Sequence, residues 1–289
     1  MSQEIKKIMT YKTFSLMVVL ISILVLWSCN HTRRAEEFVQ KGEEQYHEQN
    51  FEESIEYYDE AIQLKPDLAE AYNGRGASYF ALLNMEKALA DFSTAIEYDP
   101  TLIEAYFNRG VAYRHMRQLE EASEDLSTVL ELDPQSYLAH HHRGIVFSEM
   151  GEFEKALEDF SSFLSEYPGD AETLRHRAMI YGALGEYENA IEDFTEIIEQ
   201  KPDMAFSYFW RGNSYQSAGK LDKALEDYKK AVELEPGYIA AYHGLGMVYM
   251  TKGDKEEAIE AYETLQELAS PELHPQLYQA AEENLEALR

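Results

Sequence analysis

Hydrophobic and small residues return along this 289-residue chain with a helical rhythm that itself recurs every 34 residues. Gly42, Gly76, Gly110, Gly144, Ala178, Gly212 and Gly246 each stand 34 residues from the next, and Pro66, Pro100, Pro134, Pro168, Pro202 and Pro236 follow the first six at a distance of 24. With the small residue as position 8, units begin at residues 35, 69, 103, 137, 171, 205 and 239. Position 4 holds Phe38, Tyr72, Tyr106, His140, Leu174, Tyr208 and Tyr242, and position 11 holds Tyr79, Tyr113, Phe147, Tyr181, Tyr215 and Tyr249 from the second unit onward. Positions 4, 8 and 11 share one stripe of an α-helix. A second stripe joins position 20 (Ser54, Ala88, Ala122, Ala156, Ala190, Ala224, Ala258) to position 24 (Tyr58, Phe92, Leu126, Phe160, Phe194, Tyr228, Tyr262). Small residues at 8 and 20 let two helices approach closely, and the ring at 24 fills the space beside them. A period of this size, built from two amphipathic helices, predicts an array of stacked two-helix units.

The punctuation agrees with that reading. Gly151, Gly185, Gly219 and Gly253 fall between the two helices of a unit, where a helix end favours left-handed backbone. Asp67, Thr101, Ser136, Asp170 and Asp203 stand near the start of the next first helix as candidate N-caps, and Asp67 to Glu70 and Thr101 to Glu104 have the spacing of capping boxes. The prolines stop each second helix. In the last unit Lys255 takes the place of the aromatic after the turn, and the proline slips to Pro271. Beyond it Leu277, Ala281, Leu285 and Leu288 form one more apolar stripe, which predicts a capping helix within 273–289 over the final open face.

Tyr106-Phe107-Asn108-Arg109-Gly110-Val111-Ala112-Tyr113, followed by Ala122 and Asp133-Pro134, resembles a tetratricopeptide (TPR) repeat. The resemblance covers 35–272 as seven units, 35–68, 69–102, 103–136, 137–170, 171–204, 205–238 and 239–272. It implies an all-α, right-handed α-solenoid of helix-turn-helix units whose first helices line a concave groove, and a protein that binds peptides or folded partners and is not an enzyme. One position departs from the family's pattern. Position 7, usually leucine there, is Arg75, Arg109, Arg143, Arg177 and Arg211 in units two to six, and position 23 in the same units is Asp91, Asp125, Asp159, Asp193 and Asp227. The two residue types appear and vanish together. Pairing within a unit satisfies all five, whereas pairing to the next unit orphans one charge at each end, which is costly if buried. The pattern predicts a structural ladder of ion pairs.

Charge and the N-terminus narrow the function classes. The chain has a formal net charge of −29, and beyond residue 28 it carries 22 basic against 53 acidic residues. Phosphate backbones need a basic face, so no nucleic-acid partner is expected. The acidic residues of the second helices, such as Glu52, Glu53, Glu56, Glu120, Glu121, Glu154 and Glu158, read as a solvated outer face, with docking of a basic partner as the alternative. Lys6, Lys7 and Lys12 precede an apolar stretch, Phe14 to Trp27, of 14 residues broken only by Ser15 and Ser22. That is short for a membrane span and suits a signal-peptide core. It ends in Leu26-Trp27-Ser28-Cys29, which resembles the lipobox of bacterial lipoproteins despite the bulk of Trp27. The resemblance implies removal of residues 1–28, acylation of Cys29 (the sole cysteine), anchoring in a lipid membrane, and a tether over 29–34. An uncleaved anchor helix with an incidental cysteine is the alternative. The expected location is a bacterial membrane after export: the periplasmic face of the inner or outer membrane, or the cell surface.

No catalytic constellation, cofactor motif or metal site is expected. Gly212 to Gly219-Lys220 has six intervening residues where a phosphate loop needs four. His140-His141-His142 are consecutive on a helix and point apart, so they cannot share a metal. Positions 2, 5, 9 and 12 of the first helices should line the groove. The Lys and Asn pair that holds chaperone C-termini in some family members is missing there. Phe80, Phe107, Leu138, Phe206, Phe209 and Met250 are offered instead, an apolar partner-binding surface. The resulting expectation is a membrane-anchored scaffold or assembly factor of a bacterial envelope that binds a protein or peptide. A small-ligand or glycan receptor lipoprotein and a non-catalytic subunit of an envelope enzyme complex remain as alternatives.

Overall fold

The computed structural model describes residues 30–289, so the expected signal peptide and Cys29 lie outside the described residues. Those residues form fifteen helices and no strand. They are α1 (30–47), α2 (Phe51–Leu64), α3 (Ala69–Ala81), α4 (Met85–Tyr98), α5 (Ile103–His115), α6 (Leu119–Leu132), α7 (Tyr137–Met150), α8 (Phe153–Glu166), α9 (Ala171–Leu184), α10 (Tyr187–Gln200), α11 (Ala205–Ser217), α12 (Leu221–Leu234), α13 (Ile239–Lys252), α14 (Lys255–Leu268) and α15 (Pro275–Leu288). From the second unit of the pattern onward, each first helix begins at the residue where that unit begins. The chain divides into two compact bodies, one ending at Val146 and the other starting at Phe147.

In the first body α2 packs on α3, α3 on α4, α4 on α5 and α5 on α6. The small residues explain how closely. A Cβ added at Gly76 would lie 2.7 Å from Cε1 of Phe92, so the ring of the second helix rests directly on the backbone of the first. Tyr58 reaches further, onto the backbone of the following unit at Gly74. Position 20 of the first unit is a serine, and its buried hydroxyl donates to the Gly42 carbonyl at 2.7 Å and meets Ser78 Oγ at 3.0 Å. The polar group is thereby satisfied inside an apolar seam. Residues 30–34, within the expected short tether, are the opening turn of α1. At helical rise they span roughly 8 Å.

In the second body the same stacking runs from α8 through α15. Tyr228 and Tyr262 are fully buried at position 24. Tyr228 repeats the double contact of Tyr58: a Cβ at Gly244 would stand 2.7 Å from its Cζ. The units of Tyr58 and Tyr228 are thus each followed by a unit with glycine at position 6, a coupling that the stripe at 8 and 20 does not reveal. The last helix covers Tyr262, Leu265 and Ala269 with Ala281 and Leu285, flanked by Leu277 and Leu288. Pro275 opens α15, where its missing N–H costs nothing.

Turn chemistry holds at the helix C-termini and slips at the N-termini. Gly151, Gly185, Gly219 and Gly253 have φ of 78, 79, 73 and 87°. The first three units hold the same turn with Gln49, Leu83 and Arg117, at φ of 65, 59 and 62°. Asp170 caps α9, accepting from the Thr173 N–H at 2.8 Å. The two expected capping boxes do not form. The N-cap positions of α3 and α5 are Leu68 and Leu102, and Met204 rather than Asp203 precedes α11. Each helix starts one residue later than a side-chain cap requires, and before α3 and α5 the polar side chains serve the loop. Asp67 pairs with Lys65 at 2.9 Å, and Asp99 Oδ1 accepts from the Thr101 N–H and hydroxyl at 2.9 and 2.7 Å.

Candidate functional site

Among the position-7 arginines, Arg75, Arg109, Arg177 and Arg211 are largely buried, with side chains 16–20% exposed. Within the first body, Arg75 donates through Nε and Nη2 to Asp91 at 2.8 and 2.7 Å, and Arg109 does the same to Asp125 at 2.7 and 2.8 Å. In the second body Arg177 holds Asp193 at 2.9 and 2.7 Å, and Arg211 holds Asp227 at 2.8 and 2.8 Å. Arg143 and Asp159 belong to different bodies. The remaining nitrogen reaches back to position 25 of the preceding unit: Asp59 for Arg75, Ser93 for Arg109, Ser127 for Arg143, Ser161 for Arg177 and Thr195 for Arg211. Rings at positions 4 and 11 flank the fork, as Tyr208 and Tyr215 do at 5.6 and 5.7 Å from the centre of Arg211. Burial pushes the Asp193 and Asp227 carboxyls up, while the arginine bonds pull the other way. The carboxylate hydrogen bonds hold Arg75, Arg109 and Arg177 firmly charged. In these four pairs both carboxylate oxygens are taken by the arginine and the aspartate side chains are 7–9% exposed.

Two of the predicted groove residues come together in the first body. Phe80 and Phe107 line a cavity of about 160 Å³ with Tyr46, Val111, Asn108 and His142. His142 stands edge-on to Phe107 with ring centroids 5.2 Å apart, and its Nδ1 is buried without a hydrogen-bond partner. Burial, reinforced by nearby His141, Arg114 and His115, lowers its pKa from 6.5 to about 4, so the ring is neutral at physiological pH. Asn108 is held by a 3.0 Å bond to Asn73. The cavity therefore combines apolar rings with one neutral imidazole. Leu138, a third predicted residue, is 59% exposed at the start of α7.

The other three behave differently. Phe206 lies against Trp210, with centroids 6.0 Å apart. Phe209 packs inward on Tyr228 and Tyr238, at 6.0 and 5.1 Å, and joins the cluster around Leu245 and Val248. Met250 packs on the cluster formed by Tyr262, Leu265 and Leu285. Phe209 and Met250 are thus half-buried walls of the interior, because the loop before α13 brings Tyr238 over one and α15 adds apolar cover beside the other. A larger cavity, of about 360 Å³, opens between α9, α10 and α11, lined by Met179, Gly182, Tyr187, Phe194, Trp210 and Asn213. Neither Gly182 nor Trp210 stood out in the sequence. The signal that could have found Gly182 is the loss of a side chain at position 12 in one unit alone.

Among the described residues no group of three or more His, Cys, Asp or Glu could hold a metal ion, and no helix is long and apolar enough to cross a membrane. Models of the TPR and tetratricopeptide repeat match residues 42–82 and 212–253, 69–102 and 103–136, 141–205, and 239–271. No curated protein matches the chain. Among solved structures, the C-terminal part of a TPR repeat-containing protein from Cytophaga hutchinsonii is similar with a TM-score of 0.71 at 20% identity, covering 86% of this chain and 99% of that one. PilF of Pseudomonas aeruginosa gives 0.63 at 17% identity, covering 74% and 97%. YrrB, described as a TPR protein with an unusual peptide-binding site, gives 0.61 at 23% identity, covering 64% and 96%. At these identities the likeness shows the fold.

Proposed function

The chain belongs to the tetratricopeptide-repeat family, and we propose that it is a membrane-anchored, non-catalytic scaffold or assembly factor of a bacterial envelope that binds a segment of a partner protein. The observation that carries the binding half is the cavity at Phe80 and Phe107, where rings from adjacent first helices leave apolar surface unfilled. An aromatic-walled cavity on a rigid helical frame accepts an apolar anchor at little conformational cost. A peptide-binding site on a neighbour of this fold supports the same reading. The linings of both cavities are mainly apolar, which favours a protein segment over a glycan. The anchoring half rests on the basic start, the short apolar run and Ser28-Cys29. The acidic body argues against nucleic acid.

Two arms test the proposal. Metabolic labelling with an alkynyl fatty acid should mark the wild type and leave Cys29→Ser unmarked; equal labelling of both removes the lipoprotein reading. A partner recovered on the acylated protein should bind at least tenfold more weakly to Phe107→Ala, with helicity by circular dichroism unchanged. Undiminished binding by that variant removes the cavity from the site.

A further inference from the structure

α9 carries a glycine that neither backbone nor packing requires. Gly182 occupies position 12, where the other units hold Tyr46, Phe80, Arg114, Ser148, Gln216 and Met250. Glycine inside a helix is destabilising relative to alanine. At Gly212, Gly244 and Gly246, in the same body, a tyrosine ring stands 2.6–2.8 Å from where a Cβ would be, so no side chain fits. At Gly182 nothing lies within 4 Å of that point, and its backbone is not left-handed. The missing side chain leaves a notch in the wall of the 360 Å³ cavity, which Met179 of the same helix, Phe194 and Trp210 also line. Two polar groups of the lining are engaged: Ser214 donates to the Trp210 carbonyl at 3.0 Å, and Asn213 Oδ1 accepts from the Tyr228 hydroxyl at 2.7 Å. The surface left open is mainly apolar and includes an adaptable methionine and a rigid indole, the composition of a pocket for one buried anchor. Between residues 147 and 289 the chain carries 12 basic against 30 acidic residues, a field that draws cationic segments in and turns acidic ones away.

We propose that this cavity receives a single large apolar side chain carried on a lysine- or arginine-rich segment of a partner protein, with Gly182 as the notch that admits it. The inference rests on the reading of the chain as a protein-binding scaffold but concerns a different body from the cavity at Phe80 and Phe107.

Trp210 lies in the wall and reports occupancy. The full chain is titrated with a synthetic peptide carrying Phe-Leu between paired lysines, with tryptophan emission as the readout and a Trp210→Phe background to identify the signal. Saturable change is expected, at least tenfold weaker for a peptide with glutamates in place of the lysines and for one with serines in place of Phe-Leu. Gly182→Leu should weaken binding at least tenfold while unfolding within a few degrees of the wild type, since the space is free. Should Gly182→Leu fail to fold, Met179→Gln on the partly exposed wall replaces it with the same expectation. Absence of binding at millimolar peptide, or equal binding by wild type and the filled variant, overturns the proposal. Equal binding of the glutamate peptide overturns its charge half. Loss of binding in Phe107→Ala with Gly182→Leu unaffected overturns this site and leaves the first-body reading standing.

Discussion

At the scale of single residues, what organises this protein is a charged fork with three clients. Arg211 takes Asp227 bidentately, donates to Thr195 of the preceding unit and lies beside two tyrosine rings. Its side chain is 16% exposed and that of Asp227 7%. Removing one partner strands the other in low dielectric, so Asp227→Ala should cost about 3 kcal/mol in urea denaturation. A double-mutant cycle with Arg211→Ala should show strong coupling; a coupling below about 0.5 kcal/mol, the scale of exposed pairs, would remove the ladder from the account of stability. His142 gives a second residue-scale expectation. Its folded pKa is about 4 against an ordinary 6.5. Below about 6.5 the unfolded chain binds a proton that the folded chain refuses. Stability is therefore complete above that pH and falls as pH drops toward 4, by about 2 kcal/mol at pH 5. His142→Gln should flatten this part of the stability–pH curve, and an unchanged slope would show that His142 is not its source.

At the scale of elements, the turn between the helices of each unit has one geometry and two chemistries. Four units spend a glycine on the left-handed residue, while Leu83 holds φ of 59° with its side chain 78% exposed. A Cβ in that region costs roughly 1–2 kcal/mol, and this leucine recovers little of it by burial. Leu83→Gly should raise the urea midpoint, with a gain of about 1 kcal/mol after the entropy of the freer unfolded chain is subtracted. Gly219→Leu, the reverse exchange in the second body, should lower it by a similar amount. The phenyl-on-glycine seam tolerates no such exchange, because the atom that a Cβ at Gly76 would meet is a ring carbon at 2.7 Å, fully buried and unable to yield.

At the scale of the whole molecule, a repeat array is stable only where both faces of each unit are covered. In the second body α15 performs that service for Tyr262, Leu265 and Ala269. Deletion of residues 273–289 should expose this cluster, speed amide exchange first in α13 and α14, and promote self-association. Leu285→Ala, a milder form of the same change at a site 2% exposed, should cost about 2–4 kcal/mol. If exchange in α13 and α14 is unaltered by the deletion, α15 is an appendage and not a cap.

The sequence by itself determined the helices, their register and the spacing that brings Arg75 to Asp91, because these follow from periodicity within one unit and each unit repeats the evidence. It also determined the left-handed turns wherever glycine marks them. Gln49, Leu83 and Arg117 adopt the same turn without a marker, since the fold imposes it on them through the helices on either side. The caps expected at Asp67 and Thr101 do not form because both residues have loop partners that local spacing cannot weigh against a cap. The second contact of Tyr58 and Tyr228 with glycine of the next unit, the third bond of each arginine, and the inward packing of Phe209 and Met250 all depend on how neighbouring units stack. The cavities depend on it most. A void is what three helices fail to fill, and the space at Gly182 exists only because no side chain of α10 or α11 moves into it.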